Sequence, residues 1–293
     1  MQIVLVNYAD ENFKVRRRLS VASAKKFGIK RIVTWDRPQL LKTDFYLKNK
    51  LILDQPRGSG YWLWKPYIIL DSLQKLNDGD VLVYLDCGLK FALNPSPLVE
   101  LCKSSTTGIL ICDNRPVLNC WFTKRDVFTV LNSDSETYWN SFQVMAGFML
   151  VRKSDSSVSF VSEWLKTCEI NNLITDDPSQ CGLPELPGFV EHRHDQSLLS
   201  VLVKKKEMET YRNPTFHGNY LKPEKFRVKG ERLNYPFFLR EGINTYSKES
   251  QGNSPYGTII QYFPKNYESW QVRLSDFFRK VKHRLNSLSI FSL

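Results

Sequence analysis

The stretch Asp78-Gly79-Asp80-Val81-Leu82-Val83-Tyr84-Leu85-Asp86-Cys87-Gly88 decides the fold class. Its apolar run is opened by Asp-Gly-Asp and closed by Asp-x-Gly, and it shows no polar alternation. Such a run, bounded by turn residues, reads as a strand buried on both faces, which is the habit of parallel sheets. Asp86 then stands at the carboxyl edge, where open α/β sheets take up ligands. A lone acid at that place suits a nucleotide or its metal.

Working outward, Gly58-Ser59-Gly60-Tyr61-Trp62-Leu63-Trp64-Lys65-Pro66 leads into apolar positions 68, 69, 70, 73 and 76. Pro66 fits a first helical turn, so a helix feeds the Asp86 strand. Residues 2 to 8 read as a first strand, 12 to 27 as a helix closed by Gly28, and 29 to 35 as a second strand. Residues 36 to 57 carry no clear period. Further on, the pattern predicts a helix over 96 to 103, a strand over 108 to 112 and a capped helix from near Thr123. A strand over 141 to 152, a helix over 155 to 172 and a loop over 173 to 190 follow, and a last helix opens at Asp195. The β-α-β opening lacks both Gly-x-Gly-x-x-Gly and a P-loop, which demotes dehydrogenases and P-loop enzymes. The expected architecture is α/β with a mostly parallel central sheet.

Composition agrees with one sizeable core: 293 residues, 42% hydrophobic and 13% aromatic. A formal charge of +11 implies an anionic partner. No helix-turn-helix, RNP-like strand or zinc knuckle accompanies it, so nucleic acid is not the expected partner. The six cysteines form no C-x-x-C pair and read as free thiols of a reducing compartment. No segment approaches the ~20 apolar residues of a spanning helix.

Tyr61-Trp62-Leu63-Trp64-Lys65-Pro66, the helix after it, Gly79-Asp80 with Tyr84-Leu85-Asp86-Cys87-Gly88, and later His194-Asp195-Gln196-Ser197 form one ordered set. In combination they resemble sugar-nucleotide-dependent glycosyltransferases with a GT-A-type fold, of the kind found in bacterial surface polysaccharide biosynthesis. The likeness runs from residue 1 to about residue 225. It implies transfer of a sugar from a nucleotide-diphospho-sugar donor to a growing lipid-linked oligosaccharide or polysaccharide acceptor. Two other readings remain open: a sugar-nucleotide-forming nucleotidyltransferase and a non-catalytic basic binding module.

The resemblance also implies roles for residues. Asp195 with Gln196 would lie next to the transferred sugar as the catalytic pair; the plain alternative for Asp195 is a helix N-cap. Asn7, Tyr8 and Asp10, at the end of the first strand, would meet base and ribose, and Lys65 phosphate. Family members hold Mn²⁺ or Mg²⁺ on Asp-x-Asp, but here Gly88 replaces the second acid. Asp86 would then share the metal with His217, whose plain alternative is a surface residue. Lys222 would approach the diphosphate as a point charge. Trp121, with Asn119, Lys124, Arg125 and Gln143, would contact donor sugar or phosphate. Three side chains able to carry positive charge, His192, Arg193 and His194, precede Asp195. A zinc reading of His192-x-His194-Asp195 is set aside because no second histidine pair follows.

Residues 270 to 291 repeat Trp270, Leu274, Phe277, Phe278, Val281, Leu285 and Leu288 at helical spacing, with Arg273, Arg279, Lys280, Lys282 and Arg284 between them. That pattern predicts a basic amphipathic helix on an anionic membrane surface. The expected division is 1 to 225 catalytic, 226 to 269 an extension, and 270 to 293 the surface helix. The expected location is cytoplasmic, peripheral to the inner face of the membrane.

Overall fold

The computed structural model describes residues 1–170, 172–219 and 252–263. The expected surface helix, Lys222 and the boundaries at 225/226 and 269/270 lie outside these residues. One compact unit runs from Met1 to Gln261, and a second is Tyr262–Leu293.

Strand β1 is Ile3–Tyr8, helix α1 Lys14–Lys26, β2 Arg31–Trp35, α2 Trp64–Gln74 and β3 Val81–Leu85. There follow β4 Leu89–Phe91, α3 Ser96–Ser104, β5 Ile109–Leu118, β6 Phe142–Arg152, α4 Asp155–Cys168 and α5 His194–Lys205. The central sheet has the order β2-β1-β3-β6-β5. β1 pairs in parallel with both β2 and β3, while β6 is antiparallel to β3 and to β5. Four strands therefore point one way and β6 the other, so the sheet is α/β and mostly parallel in direction.

β3 is buried along its whole length, as its unbroken apolar run requires. Its residues alternate between two cores. Val4, Val6, Tyr8, Leu82 and Tyr84 face one core with Trp64, Ile68, Ile69 and Leu73 of α2, Trp164 of α4 and Leu198 of α5. Leu5, Val81, Val83 and Leu85 face the other with Ala24 of α1 and Leu98, Val99 and Cys102 of α3. The two-residue period puts position 86 on the same side as Tyr84, toward α2.

Several boundaries depart from the sequence pattern. Residues 37–53 form three short helices, two of them capped by side chains: Asp36 in a capping box with Gln39, and Thr43 accepting from Tyr46 N–H. The predicted helix from Thr123 is split into Asn119–Phe122 and Arg125–Val130. Thr123 and Lys124 between them are extended, and the second piece is capped not by its own N-cap residue Lys124 but by Glu185, which accepts from Arg125 N–H at 2.8 Å. β5 continues past Cys112 to Leu118 through register shifts. Helix α4 starts at a Ser154–Ser157 capping box and stops at Cys168 rather than 172. Among the described residues, no helix is long and apolar enough to cross a membrane. None of the six cysteines is in a disulfide.

Candidate active site

β1 and β3 lie side by side, yet the chain leaves β1 toward β2 on one flank and leaves β3 toward β6 and β5 on the other. Their carboxyl ends flank the point where the strand order reverses, the usual crevice for ligands in open α/β sheets. Asn7 ties the two ends together, its buried Nδ2 donating to Leu85 O at 2.6 Å. Tyr8 stacks on Trp64 with ring centroids 3.9 Å apart. Asp10 caps the next turn by accepting from Asn12 N–H at 2.9 Å, and it also accepts from Ser59 Oγ at 3.2 Å.

At the end of β3, Asp86 is held from three sides. Its N–H donates to Gly147 O at 2.8 Å. The Tyr84 hydroxyl donates to its Oδ1, and Lys65 Nζ stands 3.7 Å from that oxygen. Gly147 leaves the room that this carboxylate occupies: a Cβ there would come within 2.9 Å of Asp86 Oδ2, which would have to shift. Beside Gly88, a Cβ would meet only open space.

Lys65, in the first turn of α2, also pairs with Asp195 Oδ2 at 2.9 Å, and both side chains are about 95% or more shielded from solvent. Burial raises the Asp195 carboxyl to about 6 against the pull of the Lys65 ammonium. Burial opposes the charge on Lys65, but Asp195 and Asp86 outweigh it and raise its pKa, so Lys65 stays an ammonium. Asp195 is not the helix cap. Arg193 holds the N-cap position, and the Asp195 carboxylate serves the ion pair instead. Trp164 Nε1 donates to Asp195 O at 3.1 Å and fixes this turn from α4. Gln196, half-buried, donates through Nε2 to Gln143 Oε1 at 2.7 Å.

The neighbouring histidines are not cationic. Burial pushes His192 well below its ordinary pKa and lowers His194 as well. His194 Nδ1 meets Ile174 O at 2.8 Å, and its ring lies against Tyr61 and Trp62. Of the three expected positive groups only Arg193 keeps its charge, lying over the Phe122 ring at 3.6 Å.

Gly58 to Trp62, just before α2, all have positive φ, three of them residues other than glycine. Gly60 needs its missing side chain, since a Cβ would sit 2.5 Å from Leu53 Cα. Arg57 at the head of this turn pairs with Asp176 at 3.1 Å and with Glu191 at 3.4 Å.

The remaining predicted residues separate from the cluster in kind. Trp121 is a buried core side chain whose carbonyl accepts from Val190 N–H at 2.8 Å. Asn119 donates to Ser141 Oγ at 2.9 Å, and Lys124 Nζ donates to Thr175 O and Asp177 O at 3.2 Å each. Arg125 pairs with Asp134 at 2.8 Å. Trp121, Lys124 and Asp126, which accepts from the N–H groups of Gln180 and Cys181 at 2.8 Å, hold the 173 to 190 loop, and Arg125 joins them through its N–H, which donates to Glu185 at 2.8 Å. His217 is exposed in the short helix Phe216–Asn219.

A divalent cation is a poor fit to the described donors. One oxygen of Asp86 already faces a hydroxyl and an ammonium, and among the described residues no three His, Cys, Asp or Glu groups gather as a metal set. A cation there needs further donors from outside those residues.

No family model matches the chain, and no curated protein does. Solved structures similar to it include mouse xyloside xylosyltransferase 1 in its apo form, at 10% identity, covering 91% of this chain and 99% of that one, TM-score 0.49. Another is the galactosyltransferase LgtC in complex with donor and acceptor sugar analogs, at 12% identity, 91% of each chain and TM-score 0.43. A third is the bifunctional glycosyltransferase WbbM, at 12% identity, 74% of this chain and 40% of that one, TM-score 0.42.

Proposed function

We propose that the chain is a GT-A-type glycosyltransferase that moves a sugar from a nucleotide-diphospho-sugar to a glycan or glycolipid acceptor, at the cluster Lys65, Asp86, Asp195 and Gln196. The observation that carries this reading is the placement of that cluster. A half-exposed acid, Asp86, and a buried one, Asp195, share a buried ammonium at the carboxyl edge of β3, with Gln196 next in the chain, beside the β1 end that offers Asn7, Tyr8 and Asp10. In the reaction the bond from the anomeric carbon to the diphosphate oxygen breaks, its electron pair leaving with the diphosphate. The acceptor hydroxyl oxygen forms the new bond, and its proton passes to a carboxylate or to the departing phosphate. Asp86 is the acid with solvent access, and Lys65 is the cation that offsets the two carboxylates beside it.

The acceptor is proposed to be a growing lipid-linked oligosaccharide or polysaccharide. The basic, periodic sequence of 270 to 291 supports a peripheral position on the cytoplasmic side of a membrane. Incubation with UDP-, GDP- and dTDP-sugars tests the reaction class. Release of free nucleoside diphosphate, abolished by Asp86→Ala with the circular-dichroism spectrum unchanged, is the expected result. Pyrophosphate-dependent turnover would mark a nucleotidyltransferase, and no turnover a binding module.

A further inference from the structure

Gln143, the second residue of β6, is completely buried. Its Nε2 lies 3.2 Å from Phe122 O, 3.4 Å from Thr123 Oγ1 and 3.4 Å from Ser197 Oγ. A peptide carbonyl has no proton to give, so the Gln143 atom facing Phe122 O must be the amide nitrogen. Ser197 reinforces this, because its hydroxyl donates to the same carbonyl and can meet Gln143 only as an acceptor. The other end of the amide, Oε1, is thereby fixed as an acceptor, and it takes the proton of Gln196 Nε2 at 2.7 Å. Turning the Gln196 amide over would set oxygen against oxygen at 2.7 Å. One backbone carbonyl thus determines the orientation of two side-chain amides in series.

We propose that Gln143 is a positioning residue that presents the carbonyl oxygen of Gln196, rather than its NH₂, to the bound sugar. The inference rests on the reading that Asp195-Gln196 borders the transferred sugar. An oxygen there accepts from sugar hydroxyls and faces developing positive charge at the anomeric carbon favourably; an NH₂ does neither. Nothing in the sequence around Gln143 signals this, since its partners come from Phe122, Ser197 and Gln196, which are distant along the chain.

The test is a double-mutant cycle on nucleoside diphosphate release from whichever nucleotide sugar of the panel is turned over. Gln143→Met keeps the length of the side chain and removes both polar ends. It is expected to lower kcat about tenfold or more with KM within about twofold. In a Gln196→Ala background the same change is expected to cost no more than about twofold, because its route of action is already gone. Equal losses in both backgrounds, or an unchanged kcat in the single variant, would overturn the proposal, since a merely structural glutamine acts independently of Gln196. If Gln143→Met does not fold, Gln143→Glu replaces it. A protonated carboxyl can still donate to Phe122 O and accept from Gln196, so its kcat relative to wild type should rise as pH is lowered. A flat ratio overturns the inference. If Gln196→Ala alone turns over like wild type, the catalytic reading itself has failed and the inference falls with it.

Discussion

Lys65 and Arg57 each stand between two acids, and the two clusters differ mainly in water. Lys65 bridges Asp86 and Asp195 with its own side chain 4% exposed. Arg57 bridges Asp176 and Glu191 with its side chain 45% exposed. Both join segments that are remote in sequence. In the first cluster Lys65 and Asp195 have lost their hydration and depend on each other, so removing one of them leaves an uncompensated buried ion. In the second, solvent and salt supply the alternative partner, and the pairs contribute little. A similar plan of charge gives a committed site in one place and a replaceable clasp in the other.

Breaking the buried bridge should have the largest effect. Lys65→Met leaves Asp195 without its counter-ion and is expected to cost ~3–5 kcal/mol in urea unfolding, with much of that loss recovered in Lys65→Met/Asp195→Leu. A single variant as stable as wild type would mean that the pair is not desolvated in solution.

Asp195→Asn keeps the shape and removes the charge. Turnover should fall ~100-fold, the scale of a lost acid-base group. In wild type, turnover should decline on the acid side with an apparent pKa of about 6, as Asp195 takes up a proton, and the variant should lack that limb. The stability sign is opposite. A carboxyl whose pKa is raised by folding adds stability that is full below its unfolded value, and that contribution is lost as pH rises through about 6. The stability of wild type relative to Asp195→Asn should therefore fall across that window, as read by melting temperature against pH.

Gly147→Ala probes the wall behind Asp86. A methyl 2.9 Å from Asp86 Oδ2 must displace the carboxylate, so turnover should drop about tenfold while the strand backbone, at ordinary φ, tolerates alanine. The smallest effect is expected for Arg57→Ala: within ~1 kcal/mol of wild type, and less at high salt. A larger, salt-insensitive loss would place Arg57 in the same class as Lys65 and end the contrast.

The parallel half of the sheet was legible because its signals are local. The apolar runs of β1 and β3, Pro66 in the first turn of α2, and Gly28 with φ of 87° each announce themselves within a few residues. Strand direction is not local. Phe142–Arg152 reads the same whichever way it runs, and only its pairing with Val81–Leu85 makes it antiparallel. The short helices of residues 37–53 depend on the Asp36 and Thr43 caps, which leave little periodic trace in such brief elements. Within the site, Asp86 and Asp195 stood out by their settings. That both answer to Lys65 is a fact of tertiary structure, as is the neutrality of His192 and His194, which follows from burial.

The antiparallel placement of β6 has a consequence for synthesis. A nascent chain that has delivered residues 1–104 holds β1, β2, α2 and β3, and with them Lys65 and Asp86. It holds neither Gly147, which anchors Asp86 from β6, nor Asp195, which neutralises Lys65 from α5. During that interval the ammonium has a single acid within reach and no reason to leave water. The charge cluster is therefore closed, and Lys65 given its buried counter-charge, only by the later-made half of the chain.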